Sequence, residues 1–413
     1  MTKKLYSSIP TPLTPPKLEE DRLSWLRLFR SRRVGVATFH RLIKEHGTAA
    51  AALEALPDIA RAAGVDEYRP CSVDAARAEM KAARRTGARL LCFGDPDYPA
   101  LLAAIEDPPP LLWCSGRTEL LHSPMIALVG ARNASSLGER MARLLAGALG
   151  EAGFTLVSGM ARGIDTAAHG ATLKTGTVAA LAGGVDIAYP RENAGLFREI
   201  GQQGLRLSEQ APGLEPQARH FPPRNRIIAG LAHGLVVVEA AARSGSLITA
   251  RAALDQGREV MAVPGHPFDP RAAGCNMLIR DGARLVRALD DILEAIGPLE
   301  MPPRQVASNW RDQARKHAAA LAAPDAARAA AGGAGAPPAN GRHPPGPVPR
   351  GDAAQMLPLH QEILSRIGPS PVPEDQLIRD LGIAAADLSP VLLSLELDGR
   401  ICRQSGGLVS LSG

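Results

Sequence analysis

No stretch of the sequence approaches membrane-spanning length, and its first residues, MTKKLYSSIPTPLTPPK, hold no apolar core of the kind a secretory leader needs. These two absences lead to the expectation of a cytoplasmic protein. The five cysteines, at 71, 92, 114, 275 and 402, are odd in number and form no close pair. Neither a disulfide framework nor a zinc site is therefore expected. Nucleotide cradles are missing as well. Gly130-Ala-Arg132-Asn133 lacks the G-x-G-x-x-G spacing and no G-x-x-x-x-G-K-[ST] occurs, so dinucleotide binding and ATP hydrolysis have no usual seat. No cofactor and no metal are expected.

What is present is a chain of 413 residues, 45% hydrophobic, enough for two or three domains with substantial cores. The net charge of +5 is unevenly spread: residues 298–351 carry seven basic and three acidic side chains, residues 352–413 four basic and eight acidic. A nucleic-acid contact is therefore expected outside the acidic C-terminal segment. Residues 18–120 read as a compact helical domain followed by a connector. Apolar spacing predicts helices from Leu23, from Phe39 (with Thr38 as N-cap), from Ala49 to a stop at Pro57, and from Val73 to Thr86; short strands follow at Arg89–Phe93 and Leu111–Trp113. Arg27, Arg30, Arg32 and Arg33 read as a solvated helix end. Residues 298–351, rich in Ala, Pro and Gly, read as a disordered tether, transiently helical at Gln313–Ala322. Residues 352–413 give three helical patterns and a hairpin, resembling a winged helix. Its third helix, AADLSPVLLSLEL, has no Lys or Arg to meet DNA, so protein contact or autoregulation is expected of this domain.

Residues 121–297 alternate strands and helices: Ile126–Val129, Thr155–Val157, Val178–Ala182, Leu205–Leu207, Leu235–Val238, Val260–Val263 and Arg284–Val286 are the strand runs. The pattern predicts an α/β fold with a doubly wound, mainly parallel sheet whose ligand crevice lies at the strands' carboxyl ends. Polar turns containing glycine follow nearly every strand, and glycine lets backbone amides approach phosphate closely. The densest stretch is FPPRNRIIAGLAHGLVVVEAAARSGSLITA (221–250), where Arg224, Asn225, Arg226 and the Phe221 ring read as a turn suited to phosphates and a base face. Glu239 could act as a general base or orient an arginine of that turn. Asp165 and His169, four apart, read as a helix cap and a packed or exposed side chain rather than a metal pair, and Cys275 as a buried small residue.

Seven stretches occur in the order of the DNA-processing protein A family (DprA or Smf): VGARNAS (129–135), SGMARGIDTAAH (158–169), GGVDIAYPREN (183–193), SEQAPG (208–213), FPPRNRIIAGL (221–231), SGSLITARAALDQGREVMAVPG (244–265) and GCNMLIRDGA (274–283). The chain resembles that family over essentially all of residues 120–290. The resemblance implies an extended Rossmann-like domain that binds single-stranded DNA without hydrolysing anything, an N-terminal SAM-like domain, a homodimer, protection of incoming DNA in natural transformation, and help in loading RecA recombinase. Carried onto this sequence, it makes Arg132, Ser158, Gly159, Arg162, Gly163, Phe221, Arg224, Asn225, Arg226, Ser244, Gly245, Ser246 and Asn276 the groove candidates, with a dimer seam near Asn276–Val286. Two departures stand out. Ala218 replaces an expected lysine, for which Arg219 or His220 could substitute, and Cys275 replaces an expected threonine. The rival reading is a Rossmann-like nucleotide phosphoribohydrolase related to lysine-decarboxylase-like proteins, but its Pro-Gly-Gly-x-Gly-Thr signature is absent.

Overall fold

The computed structural model describes residues 15–299, 353–368, 371–404 and 407–411. The expected tether and its helical stretch fall outside these residues from 300 onward.

Four helices open the chain: α1 (Glu19–Arg30), α2 (Val36–His46), α3 (Ala49–Ala62) and α4 (Val73–Arg85). α1 begins with Glu19, Glu20 and Asp21 and ends with Arg27 and Arg30, a charge order matched to the helix dipole. It buries Trp25, Leu26 and Leu28 against Phe39, Leu42 and Leu53. Two expectations are corrected here. Thr38 lies inside α2, whose N-cap is Gly35. α3 also runs through Pro57 to Ala62, because Leu53, Leu56 and Ala60 keep one buried face on both sides of the proline. That packing offsets the single backbone hydrogen bond that proline forfeits.

Next come β1 (Arg89–Cys92), α5 (Ala100–Ala103), β2 (Leu111–Gly116), β3 (Met125–Gly130), α6 (Ser136–Glu151), β4 (Thr155–Ser158), α7 (Ile164–Thr172), β5 (Thr177–Ala180), α8 (Ala194–Gln203) and β6 (Leu205–Ser208). The domain is completed by α9 (Phe221–Leu231), β7 (Gly234–Val238), α10 (Gly245–Asp255), β8 (Glu259–Ala262), α11 (Ala273–Arg280), β9 (Arg284–Leu285) and α12 (Leu289–Ile296). One nine-stranded sheet runs β1-β2-β6-β5-β4-β3-β7-β8-β9. β3 to β9 are parallel, and the connector strands β1 and β2 add an antiparallel edge beside β6. The sheet therefore reaches back into residues 89–116. Its central strands are apolar on both faces, as a sheet covered on both sides requires. Val129, Val157, Val237 and Ala250 pack on one face, while Leu128, Leu149, Ile164 and Val236 pack on the other.

The C-terminal part comprises α13 (Ala353–Arg366), β10 (Val372–Pro373), α14 (Glu374–Leu381), α15 (Ala385–Leu397), β11 (Ile401–Gln404) and β12 (Leu408–Leu411). The β11–β12 hairpin takes β10 as a third strand and closes over Ile363, Leu377, Leu392 and Val409, a winged-helix arrangement. Among the described residues no helix is long and apolar enough to cross a membrane.

Candidate nucleic-acid interface

Strand order reverses between β3 and β7: β4, β5 and β6 follow on one side of β3, β8 and β9 on the other side of β7. In a doubly wound sheet the crevice at such a reversal is where ligands bind. The crossover helix α9 runs antiparallel to the strands, so its first turn arrives at the same carboxyl edge. There a cavity of about 860 Å³ opens between the β3–α6 turn, the head of α9 and the head of α10, and one of about 560 Å³ adjoins it beneath Tyr189.

The stretch expected as a turn around Arg224 is instead the second turn of α9. Pro222 and Pro223 occupy the helix's first turn, where backbone N–H groups have no intrahelical acceptor and proline is tolerated. Helical geometry then sends Arg224, Asn225 and Arg226 in directions about 100° apart. Arg226 points away from the cavity and pairs with Glu209 at 2.6 Å and Asp107 at 3.0 Å, tying the domain to the connector. Its charge is spent there.

Arg224 is buried at the cavity floor. Its Nη1 donates to the Ala180 carbonyl at 2.9 Å and its Nε to Asn225 Oδ1 at 3.2 Å. Burial lowers its pKa and the carboxylate of Asp165 opposes that. Asp165 is equally sealed: burial raises its pKa, and Arg224 is the strongest influence in the other direction. Gly159 leaves room for both groups, since a Cβ there would overlap the Arg224 guanidinium and lie 2.7 Å from Asp165 Oδ2. Gly163 adopts a φ of 72° and passes so close to the β3–α6 turn that a Cβ would sit 2.8 Å from the Arg132 carbonyl.

Above this floor lies the exposed layer. Phe221 is half-buried, with the guanidinium carbons of Arg132 and Arg224 at 5.5 and 5.8 Å from its ring centre and the Tyr189 ring at 6.0 Å. Arg132 is exposed, as are Arg162 and Arg243 on neighbouring turns, and among the described residues these three have no ion-pair partner. Ser244 caps α10 by accepting the Ser246 amide, and its hydroxyl shares a hydrogen bond with Ser246 Oγ at 2.7 Å. With Gly245 open to solvent, the head of α10 presents amides and hydroxyls to the cavity. The surface offers unpaired cations, the rings of Phe221 and Tyr189, and a helix N-terminus.

Other candidates support the site from behind. Ser158 is buried, donating to the Leu128 carbonyl at 2.7 Å. Asn276 does not line the cavity: its amide clamps Gly265, accepting from the backbone N–H at 3.2 Å and donating to the carbonyl at 3.0 Å. Asp165 Oδ2 accepts from the Ala161 amide at 3.2 Å. His169 is sealed between Thr177 Oγ1, at 2.7 Å, and the Gly159 carbonyl, and burial pushes its pKa down to about 4. Among the described residues no group of three or more His, Cys, Asp or Glu is placed to hold a metal ion. Glu239 orients no arginine of α9. Its backbone takes a φ of 53°, and the turned carboxylate accepts from the Ser135 amide at 2.8 Å and from the Ser135 hydroxyl, anchoring the start of α6. Cys275 is fully buried, its thiol pushed up to about 12, so this position contributes no side chain to the cavity. His220 is buried, leaving Arg219 as the exposed cation beside Ala218.

Tyr189, Arg243 and Arg271 line the cavities without having been marked by sequence. Arg243 sits directly before the Ser244 turn, so its place at a helix head was available as a signal. Tyr189 lies in a long loop, where no periodicity indicates its direction.

Residues 89–297 match the family described as DNA recombination-mediator protein A, residues 19–82 the DprA-like N-terminal HHH domain, and residues 346–407 the DprA winged helix domain. Protein Smf of Escherichia coli K12 is 38% identical over 317 residues, covering 76% of this chain and 75% of that one. The DNA processing protein DprA of Streptococcus pneumoniae is 46% identical over 201 residues, 48% of this chain and 71% of that one. The X-ray structure of DNA processing protein A from Streptococcus pneumoniae aligns with a TM-score of 0.53 at 34% identity, covering 70% of this chain and 96% of that one.

Proposed function

We propose that this chain, which belongs to the DNA recombination-mediator protein A (DprA/Smf) family, binds single-stranded DNA in the crevice between β3 and β7 without hydrolysing it. The observation that carries the reading is the exposed layer itself: Phe221 flanked by Arg132, with Arg162 and Arg243 unpaired and the head of α10 beside them. Phosphates meet the guanidiniums and the α10 amides while a base stacks on Phe221, a mode that is tolerant of sequence and sensitive to salt. The buried Arg224–Asp165 floor holds Phe221 and the β4–α7 turn in register. We further propose that the protein is cytoplasmic, protects incoming strands during natural transformation, and assists RecA loading as a homodimer. For the seam, the exposed edge strand β9, with Leu285 at 42% exposure, supports a contact within Asn276–Val286.

The test is fluorescence anisotropy with labelled single-stranded and duplex oligonucleotides over a salt series, for wild type, Phe221→Ala and Arg132→Ala. Single strands should bind more tightly, both substitutions should weaken them, and Arg132→Ala should flatten the salt dependence. Equal affinity for duplex, or indifference to both substitutions, defeats the proposal. The hydrolase alternative is checked by incubating the protein with nucleoside monophosphates; no release of base is expected, the Glu239 carboxylate being engaged by Ser135.

A further inference from the structure

Arg271 lines the groove cavity, yet its guanidinium is occupied by another part of the chain. Nε and Nη2 bond Asp269 at 3.1 and 3.2 Å; Nη2 also donates to the Ile367 carbonyl at 2.8 Å, and Nη1 donates to the Ser365 carbonyl. Ser365 and Ile367 bracket the C-terminal end of α13, where the last carbonyls lack amide partners and the helix dipole is negative. A groove arginine thus serves as the C-terminal cap of a winged-helix element.

The contact extends beyond this cap. Arg366 pairs with Glu139 at 3.4 Å, Glu139 with Arg143 at 3.4 Å, and Arg143 with Asp380 at 3.6 Å, so four charges alternate in sign and cross between the two parts twice. Gly368 comes so near that a Cβ would stand 2.9 Å from Asp269 Oδ2. The docked segment belongs to a stretch with four basic and eight acidic side chains, and α15 has no Lys or Arg.

We propose that the C-terminal winged-helix part is a latch that withholds Arg271 from the strand, and that single-stranded DNA and this part compete for that guanidinium. The inference rests on the DNA-binding reading of the groove. An incoming phosphate offers Arg271 the same acceptor chemistry as the α13 carbonyls together with a full negative charge, and it repels the acidic segment. Undocking therefore adds a phosphate contact that the docked state lacks.

The test uses the full chain with Arg366→Glu, which sets two carboxylates against each other at Glu139. The probe is a labelled oligothymidylate. Added negative charge by itself weakens DNA binding, so a gain is diagnostic. The expected result is roughly tenfold tighter binding, the worth of one charge-assisted hydrogen bond, and a salt dependence steeper by about 0.7 in log–log slope. Arg271→Ala in the Arg366→Glu background should remove the gain, and Arg366→Lys, which keeps a cation opposite Glu139, should retain the wild-type affinity, separating undocking from misfolding. If Arg366→Glu binds no more tightly while Phe221→Ala still weakens binding, the latch is overturned and the groove stands. If neither wild type nor Arg366→Glu binds the oligonucleotide, the groove reading falls and the latch with it.

Discussion

Arg224 and Asp165 give the sharpest test of the division between a buried floor and a DNA-facing layer. Replacing Arg224 by Ala leaves Asp165 as a sealed carboxylate with its strongest favourable neighbour removed. The two groups form no direct ion pair among the described residues, but losing the nearby guanidinium leaves the sealed carboxylate less compensated, a loss on the order of 1–3 kcal/mol. Asp165→Asn removes that charge, so the double variant Arg224→Ala/Asp165→Asn should recover on the order of 1–2 kcal/mol relative to the sum of the single changes. Urea unfolding at pH 7 measures all four corners of the cycle. The pH dependence adds a second reading. Without Arg224, Asp165 is held further above the ordinary carboxyl value of 3.8, so the folded state binds a proton that the unfolded state has released. Arg224→Ala should therefore lose stability as pH rises from near 3.8, and Asp165→Asn should abolish that dependence. Additive effects in urea, or a pH profile unaffected by Asp165→Asn, would show that Arg224 is not held against this carboxylate and would return it to the DNA-facing layer.

Phe221→Ala should weaken single-stranded DNA by roughly tenfold, the loss of one base stack, with the salt slope unchanged; a flattened slope would show that the substitution had disturbed the arginines instead. Gly159→Ala should cost on the order of 1–3 kcal/mol in urea unfolding, because its Cβ overfills the space taken by the Arg224 guanidinium and the Asp165 carboxylate, and wild-type stability would refute the close approach. His169, held near 4 against an ordinary 6.5, should make the protein lose stability as pH falls from 6.5 towards 4, by on the order of 3 kcal/mol. His169→Gln should remove that acid sensitivity when unfolding midpoints are compared across the range. Cys275→Thr should leave DNA affinity unchanged in the anisotropy assay, since the side chain is sealed between β7 and α11; a gain would place that position in the groove.

How much was legible follows from what kind of signal each feature has. The strands from β3 to β8 are short, mostly apolar runs bounded by turn residues and lie where their pattern placed them, because burial on both faces writes itself into composition, while β9 is an exposed two-residue edge strand. Pro57 misled because its cost is local while its compensation, the buried face of α3, is tertiary. At Arg224–Arg226 two prolines and three polar residues spell a turn in any local reading. Only the crossover from β6 to β7 requires a helix there, and within a helix three neighbours cannot share a target. Sequence proximity grouped Arg224, Asn225 and Arg226 as ligands; the helix separates them into a floor residue, its hydrogen-bonding neighbour and a brace to Glu209 and Asp107. Arg132, Arg162, Arg191 and Arg243, from separate turns, are exposed around the crevice and have no ion-pair partner among the described residues. A motif concentrated in one helix thus marks where the site is, while the charges free to meet a strand come from the separate turns that the sheet gathers at its carboxyl edge. Substitution within the motif should therefore register first in stability, and substitution in the turns first in the salt dependence of binding.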